Sequence, residues 1–276
     1  DIPAPDVNTN GKIMSWMVDA YENVVKKSAP GVFTGKPVEF GGSLARTEAT
    51  GYGVNFAAVQ ALEKLGKDVK GATYAIQGFG NVGYHTGYYA HQSGAKIVAV
   101  STVDVAIYNE NGLDMEALFK EYQANGFITN KAGYGKEISN AELLALDVDV
   151  LAPCALENQL ISENAGKVRA KIVVEGANGP TTPEADAILR QNGVLVVPDI
   201  LANCGGVVVS YFEWVQNLQG YYWEFDEVQE KETVVLRRAF RDIWNLAQEY
   251  DVDLRTASYM MSIRRVEKAM KLRGWY

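Results

Sequence analysis

Cysteine and histidine are nearly absent from this sequence: Cys154, Cys204, His85 and His91 are the only ones in 276 residues. Two cysteines are too few for a disulfide scaffold, and neither sits in a CxxC pair, so a structural zinc site and metal ligation in general are not expected. Two histidines leave little for chemistry that needs a histidine base or a cluster of imidazole ligands. No apolar run reaches about 18 residues, and the opening DIPAPDVNTN lacks the form of a signal peptide. An excess of positive charge is missing too. Lys and Arg number 26 against 34 Asp and Glu, a net charge of −8, whereas a general nucleic-acid binder needs a basic face. The expected setting is soluble, reducing and cytoplasmic, with neither membrane nor nucleic acid as partner. What is present is ordinary for a globular chain: 47% hydrophobic and 22% charged residues, which excludes a disordered or fibrous protein. The length suits one large α/β unit or two small domains.

Pro3 and Pro5 keep the opening segment extended. From Ile13 to Val25 the apolar residues recur at helical spacing, and Pro30 and Gly31 end that helix. Five glycines fall within the 19 residues from Gly35 to Gly53, which read as a loop that turns sharply or approaches something closely. A second helix follows on Val54, Ala58, Leu62 and Leu65, with Gly66 behind its end. At Thr73 the pattern changes. TYAIQ reads as a short buried strand, GFGNVG follows, a helix runs through Tyr84 to about Ser93, Gly94 closes it, and KIVAVS is the next strand. This is a βαβ unit within the 29 residues from Thr73 to Ser101. Strand-like runs recur at DVDVLAP, KIVVEGA and GVLVVPD. None follows Asn203, after which long helical stretches cover roughly 227–250 and 254–272. The expected fold is α/β: a Rossmann-like, doubly wound, mostly parallel sheet with flanking C-terminal helices. Residues 1–45 are expected as an N-terminal helix and loop packed on the core, 46–225 as the sheet domain and 226–276 as the C-terminal helices.

The strongest local signal is Gly78-Phe79-Gly80-Asn81-Val82-Gly83, between a strand and a helix. Gly78 permits the tight turn, Gly80 lets the backbone approach a diphosphate, and Gly83 lets helix and strand pack closely, so the helix N–H groups can receive the phosphate charge. The bland alternative is a tight turn with no ligand. An acid at the tip of the next strand would hold the ribose hydroxyls. Here the tip reads Ser101-Thr102-Val103-Asp104, with neutral Thr102 nearest the expected place and Asp104 as either a ribose acceptor or a solvated turn residue. No basic residue stands there for a 2′-phosphate, so NAD is favoured and NADP is possible. Two further loops, Glu175 to Thr182 and Asn203-Cys204-Gly205-Gly206, follow later strands, where ligands of such sheets bind. Asn178 reads either as a nicotinamide-ribose contact or as helix-cap chemistry, and Thr181 or Thr182 before Pro183 and Glu184 starts a helix well.

Together DIPAPD, GGSLARTEATGYG, GFGNVG, LAPCALENQ, VEGANGPTTPEAD and VVVSYFEWVQN resemble the glutamate dehydrogenase family (Glu/Leu/Phe/Val dehydrogenases), in that family's order and over essentially the whole chain. The resemblance implies oxidative deamination of L-glutamate to 2-oxoglutarate and ammonia with NAD(P), a homohexamer for the full-length enzyme, and roles residue by residue. Asp6 matches the catalytic aspartate, which otherwise reads as a turn-capping residue after Pro5. Thr50 matches a residue near the nicotinamide end, Asn81 a cofactor contact and Asn178 a residue near the nicotinamide ribose. Ser210 matches the serine that touches the substrate carboxylate, and Val207 matches an apolar wall of the substrate pocket; both otherwise read as helix core. An acid often stands in the family where this chain has Thr102. The coverage is of the family's second half. The lysine-bearing first half has no counterpart, since Gly41-Gly42 is followed by Ser43-Leu44 and belongs to a different motif. The 276 residues alone are therefore expected to turn over negligibly, and apolar faces around Trp16 and Trp214 are expected to self-associate. A leucine- or phenylalanine-type amino acid dehydrogenase and a non-catalytic nucleotide-binding module are the competing readings.

Overall fold

In β1 (Thr73–Gln77) successive side chains alternate between the two faces of one sheet: Tyr74 and Ile76 enter one core and Ala75 the other. The computed structural model describes residues 1–6 and 8–275. β2 (Lys96–Ser101) pairs parallel with β1, and its alternation breaks once. Ile97 and Val100 face one core while Val98 and Ala99 both face the other. The cause is a register shift between Tyr74 and Ala75, which leaves Val98 as an extra residue in β2. β5 (Val150–Pro153) flanks β1 on its other side, followed outward by β6 (Ile172–Val174) and β7 (Leu195–Val197), all parallel. β3 (Ala106–Tyr108) and β4 (Lys136–Ile138) extend the far edge antiparallel, so the seven strands run β4-β3-β2-β1-β5-β6-β7. The mostly parallel sheet is as expected. The two antiparallel edge strands are an addition to it, because three residues each are too few for a period-two pattern to be read in sequence.

Along the chain the helices are α1 (Gly11–Val25), α2 (Ala49–Lys64), α3 (Asn81–Gln92), α4 (Met115–Asn125), α5 (Asn140–Leu144), α6 (Ser162–Ala165), α7 (Pro183–Gln191), α8 (Asp199–Ala202), α9 (Gly205–Gln219), α10 (Phe225–Tyr250) and α11 (Leu254–Leu272). One core lies between the sheet and α2, α3, α4, α10 and α11; the other lies between the sheet and α5, α6 and α7. The C-terminal helices share the first core through Phe240, Ile243, Ala247, Leu254 and Ala257.

The reading of 35–53 as loop is corrected at its end: α2 begins at Ala49 and takes in Thr50, Gly51 and Gly53. These two glycines serve close packing rather than turning. A Cβ on Gly51 would stand 2.5 Å from the His85 Cβ and 2.7 Å from the Val82 carbonyl oxygen, both on α3, and one on Gly53 would meet Gly205 at the start of α9 at 3.2 Å. Thr182 caps α7, its hydroxyl accepting the Ala185 N–H at 3.3 Å with Pro183 at the first helical position. Among the described residues no helix is long and apolar enough to cross a membrane.

Candidate functional site

Strand order reverses at β1, whose two parallel neighbours β2 and β5 receive the chain in opposite senses. A crevice opens beyond the carboxyl ends of the strands at such a point. Four chain segments are stitched there by backbone bonds. The Phe79 N–H donates to the Ser101 carbonyl (2.6 Å), the Cys154 N–H to the Gln77 carbonyl (2.7 Å) and the Gly176 N–H to the Pro153 carbonyl (3.0 Å). Gly78 has φ +89, and a Cβ there would stand 2.7 Å from the backbone of Ala155. A Cβ on Gly83 would run into the Gly78 carbonyl oxygen. At Gly80, the residue capping α3, a Cβ would meet nothing within 4 Å. Two glycines thus admit protein and the third faces open space, while the first N–H groups of α3 lack intrahelical acceptors. Asn81 is the first residue of α3, not its cap, and its Nδ2 donates to the Thr47 carbonyl at 3.0 Å.

At the tip of β2 the strand ends on Ser101. The Thr102 Oγ1 accepts the N–H groups of Asp104 and Val105, each at 3.3 Å, building the turn from which exposed Asp104 projects. The two asparagine-bearing loops meet: Asn203 Nδ2 donates to Asn178 Oδ1 at 2.7 Å. Cys154 and Cys204 are free thiols whose pKa burial pushes up to about 12 and about 11, which keeps them in the thiol form at neutral pH.

A second cluster forms where α2, α9 and α10 begin to touch. A groove of about 310 Å³ is lined by Ile2, Thr34, Val207, Ser210, Tyr211 and Trp214. Val207 is 68% exposed, while Ser210 is buried and its hydroxyl accepts from Arg46 Nε at 3.0 Å. α9 turns Ser210 inward and Val207 into the groove, so the alternative reading of both as helix core describes Ser210 but not Val207. The opening segment is laid along one side of it, with the Thr34 N–H on the Pro3 carbonyl at 3.0 Å and Pro5 against Gly35. Asp6 follows in an exposed turn closed by Thr9, whose hydroxyl accepts the Asp6 N–H at 2.6 Å and donates to the Asp6 carbonyl at 2.7 Å.

Beneath the groove lies buried charge. Lys36 and Glu213 form an ion pair at 2.7 Å with both side chains at 0% exposure, and Glu213 also accepts the Gly35 N–H at 2.8 Å. Glu232 of α10 is fully buried, and its carboxyl oxygens have no hydrogen-bond partner among the described residues. Burial pushes its pKa up to about 8, with Arg46 opposing and Glu48 reinforcing the rise. Burial lowers the pKa of Arg46, against the pull of Glu213 and Glu232. A Cβ on Gly205 would strike Glu232 Oε1, and one on Gly206 would strike Thr50 Oγ1, so α9 begins with the two residues that can fit there.

The profile of the Glutamate/Leucine/Phenylalanine/Valine dehydrogenase family matches residues 41–274. The chain belongs to that family. It is 53% identical over 281 aligned residues to the NAD-specific glutamate dehydrogenase of Clostridioides difficile, and 51% identical to the glutamate dehydrogenase of Thermotoga maritima. Each alignment covers all of this chain and 66% of the relative. Among solved structures, the glutamate dehydrogenase of Peptoniphilus asaccharolyticus aligns with a TM-score of 0.87 at 45% identity, again over all of this chain and 66% of the other. The hetero-hexameric enzyme of Thermus thermophilus aligns at 0.92 and 35%, covering 65% of that chain. This Glu/Leu/Phe/Val dehydrogenase chain therefore spans just under two thirds of the length of the relatives it matches.

Within this dehydrogenase-family fold, eight of the residues singled out from sequence fall into two neighbourhoods, while Thr102 and Asp104 stand at the β2 tip, Asn178 in the loop after β6 and Asp6 in the opening turn. Gly78, Gly80, Asn81, Val82 and Gly83 form the β1–α3 corner, while Thr50, Val207 and Ser210 gather at the start of α9. Arg46, Glu213, Glu232 and Lys36 were not singled out, although Arg46 lies in the same ARTEATG run as Thr50. Their burial was the missing signal, and a charged residue carries no local mark of being buried.

Proposed function

We propose that the chain is the dinucleotide-binding part of an NAD-dependent glutamate dehydrogenase, catalysing L-glutamate + NAD⁺ + water → 2-oxoglutarate + ammonium + NADH + H⁺ in the whole protein. The observation that carries this reading is the corner at Gly80, where a glycine faces open space at the head of a helix while its neighbours Gly78 and Gly83 are closed in by protein. A diphosphate fits there, close to backbone and against unpaired N–H groups. The family membership and the names of the relatives support the choice of NAD and of glutamate.

In this reading Gly78, Gly80, Asn81, Val82 and Gly83 hold the diphosphate, Thr102 and Asp104 face the adenosine ribose, and Asn178 and Thr50 orient the nicotinamide end. NAD, when bound, supplies the hydride acceptor. Ser210, its hydroxyl oriented by Arg46 at 3.0 Å, receives the substrate carboxylate. Exposed Val207 forms the apolar wall of the same groove, and Asp6 assists proton transfer. Gly41-Gly42 runs directly into Ser43-Leu44 rather than into a lysine, so in this reading the second proton-handling group comes from the lysine-bearing half of the whole protein. The 276-residue chain binds cofactor and turns over negligibly by itself. Homohexameric assembly is proposed for the whole protein, and cytoplasmic location goes with it.

Calorimetric titration of the chain with NAD and NADH, with a steady-state assay on glutamate alongside, tests this. Binding without turnover is expected. No binding of either nucleotide sinks the reading, robust turnover sinks its division of labour, and preference for leucine over glutamate in the whole enzyme assigns it to the other branch.

A further inference from the structure

We infer that Arg255, at the head of the last helix, is a positioning residue for the loop that carries Asn178. This rests on the dinucleotide reading above and adds a residue to it. The connection is a chain of short polar contacts. Arg255 Nη2 and Nη1 donate to the two oxygens of Glu175 at 2.6 and 3.1 Å, and Nε donates to Asp186 at 2.6 Å. Nη1 also reaches Asp199 Oδ1 at 3.4 Å. Asp199 is the link to the loop. Its own N–H donates to Glu175 Oε2 at 2.8 Å, and its Oδ2 accepts the Gly179 N–H at 2.8 Å. Asn178, the residue before, is tied in turn to Asn203.

One guanidinium therefore gathers three carboxylates, from the end of β6, from α7 and from α8. The Glu175 side chain is at 0% exposure, so removing Arg255 leaves a buried uncompensated charge next to two more of the same sign. Burial by itself would lower the pKa of Arg255, but the hydrogen bonds and charge of Glu175, with those of Asp186, raise it above the ordinary arginine value, and it stays charged. Gly179 has φ +55, and a Cβ there would meet nothing within 4 Å. The Asn158 N–H donates to its carbonyl at 2.9 Å, while the Asp199 carboxylate holds its N–H from the side that Arg255 organises. Lysine does not replace the arginine, because its donors radiate from one nitrogen, whereas the guanidinium presents three separate nitrogens to carboxylates on three different elements.

The test separates the two ends of the dinucleotide. NADH and ADP-ribose, which lacks the nicotinamide, are titrated into the 276-residue chain and its Arg255→Lys variant, and amide exchange is followed across 176–182. The variant is expected to bind NADH about tenfold more weakly, to hold ADP-ribose within about twofold, and to exchange the Gly179 amide faster. If the Arg255→Lys chain does not fold, Asp199→Ala carries the same expectation. Equal weakening of both ligands makes Arg255 a general structural residue and overturns the inference, as does unchanged NADH affinity in the folded variant. A wild-type chain that binds ADP-ribose but not NADH overturns it while leaving the glycine corner standing; one that binds neither overturns the dinucleotide reading as well.

Discussion

The glycine corner at the head of α3 and the charged nest beneath α9 sit in one fold but are built in opposite ways. At the corner there is no charged side chain to place: Gly78, Gly80 and Gly83 act by lacking one, and the corner is held by backbone bonds with neutral help from Ser101 and Asn81. Beneath α9 everything depends on side chains, namely Lys36 on Glu213, Arg46 on Ser210, and Glu232 with no hydrogen-bond partner among the described residues. A backbone site needs only the correct local conformation. A site of buried charge needs partners from distant parts of the chain and is costly to leave half made.

The largest effect is expected from separating the corner's glycines. Gly83→Ala drives a Cβ into the Gly78 carbonyl oxygen and should destabilise the chain by more than about 4 kcal/mol in urea unfolding. Gly80→Ala meets no atom and keeps an extended backbone of φ −88 and ψ −161. It should change stability by less than about 1 kcal/mol yet weaken NAD binding about tenfold or more. If both variants lose stability alike, the corner is packing and nothing else.

Next comes the buried pair. Lys36→Met leaves Glu213 charged and enclosed, for a loss of about 3–5 kcal/mol, and adding Glu213→Gln should return part of it in a double-mutant cycle. A loss below about 1 kcal/mol would mean that the pair behaves as a surface one, and the contrast drawn above would fail.

Glu232 supplies a pH signature. Burial raises its folded pKa to about 8 from an ordinary 4.5, so the folded protein holds this proton more tightly than the unfolded one. The stabilisation is complete below about pH 4.5 and is lost as pH rises through about 8. Glu48, Arg46, Cys204 and Tyr89 share this environment. Glu232→Gln should remove that loss, leaving the variant more stable than wild type by roughly 2–4 kcal/mol at pH 9 and close to it at pH 5. Parallel stability curves for the two proteins would count against a neutral carboxyl.

The smallest change is at the strand tip. Thr102→Glu should shift the ratio of NAD to NADP affinity toward NAD by about tenfold, or roughly 1.4 kcal/mol. Because the Thr102 hydroxyl also holds the turn, a modest drop in melting temperature should accompany it. An unmoved ratio places the ribose elsewhere.

Much of the fold was legible because its signals are local. The strand TYAIQ, the strand KIVAVS and the closing Gly94 fall where expected, since strand propensity and a positive-φ glycine act over a few residues. Gly51 and Gly53 misled for an instructive reason. Glycine marks both a sharp turn and a close approach between helices, and only the neighbours on α3 and α9 tell the two apart. The short strands β3 and β4 were invisible because the pairing of β3 with β2 and of β4 with β3, rather than their own composition, makes them strands.

By itself, then, the order of residues determined the strand–turn–helix corner, the parallel sheet and the family, because each is written in runs of neighbouring residues. Tertiary structure alone decided which charges are buried and what they hold. Glu213 meets Lys36 across 177 positions, and Arg255 reaches Glu175 across 80. The free energy of a buried charge depends on what surrounds it in space, and that is settled only when distant segments pack together.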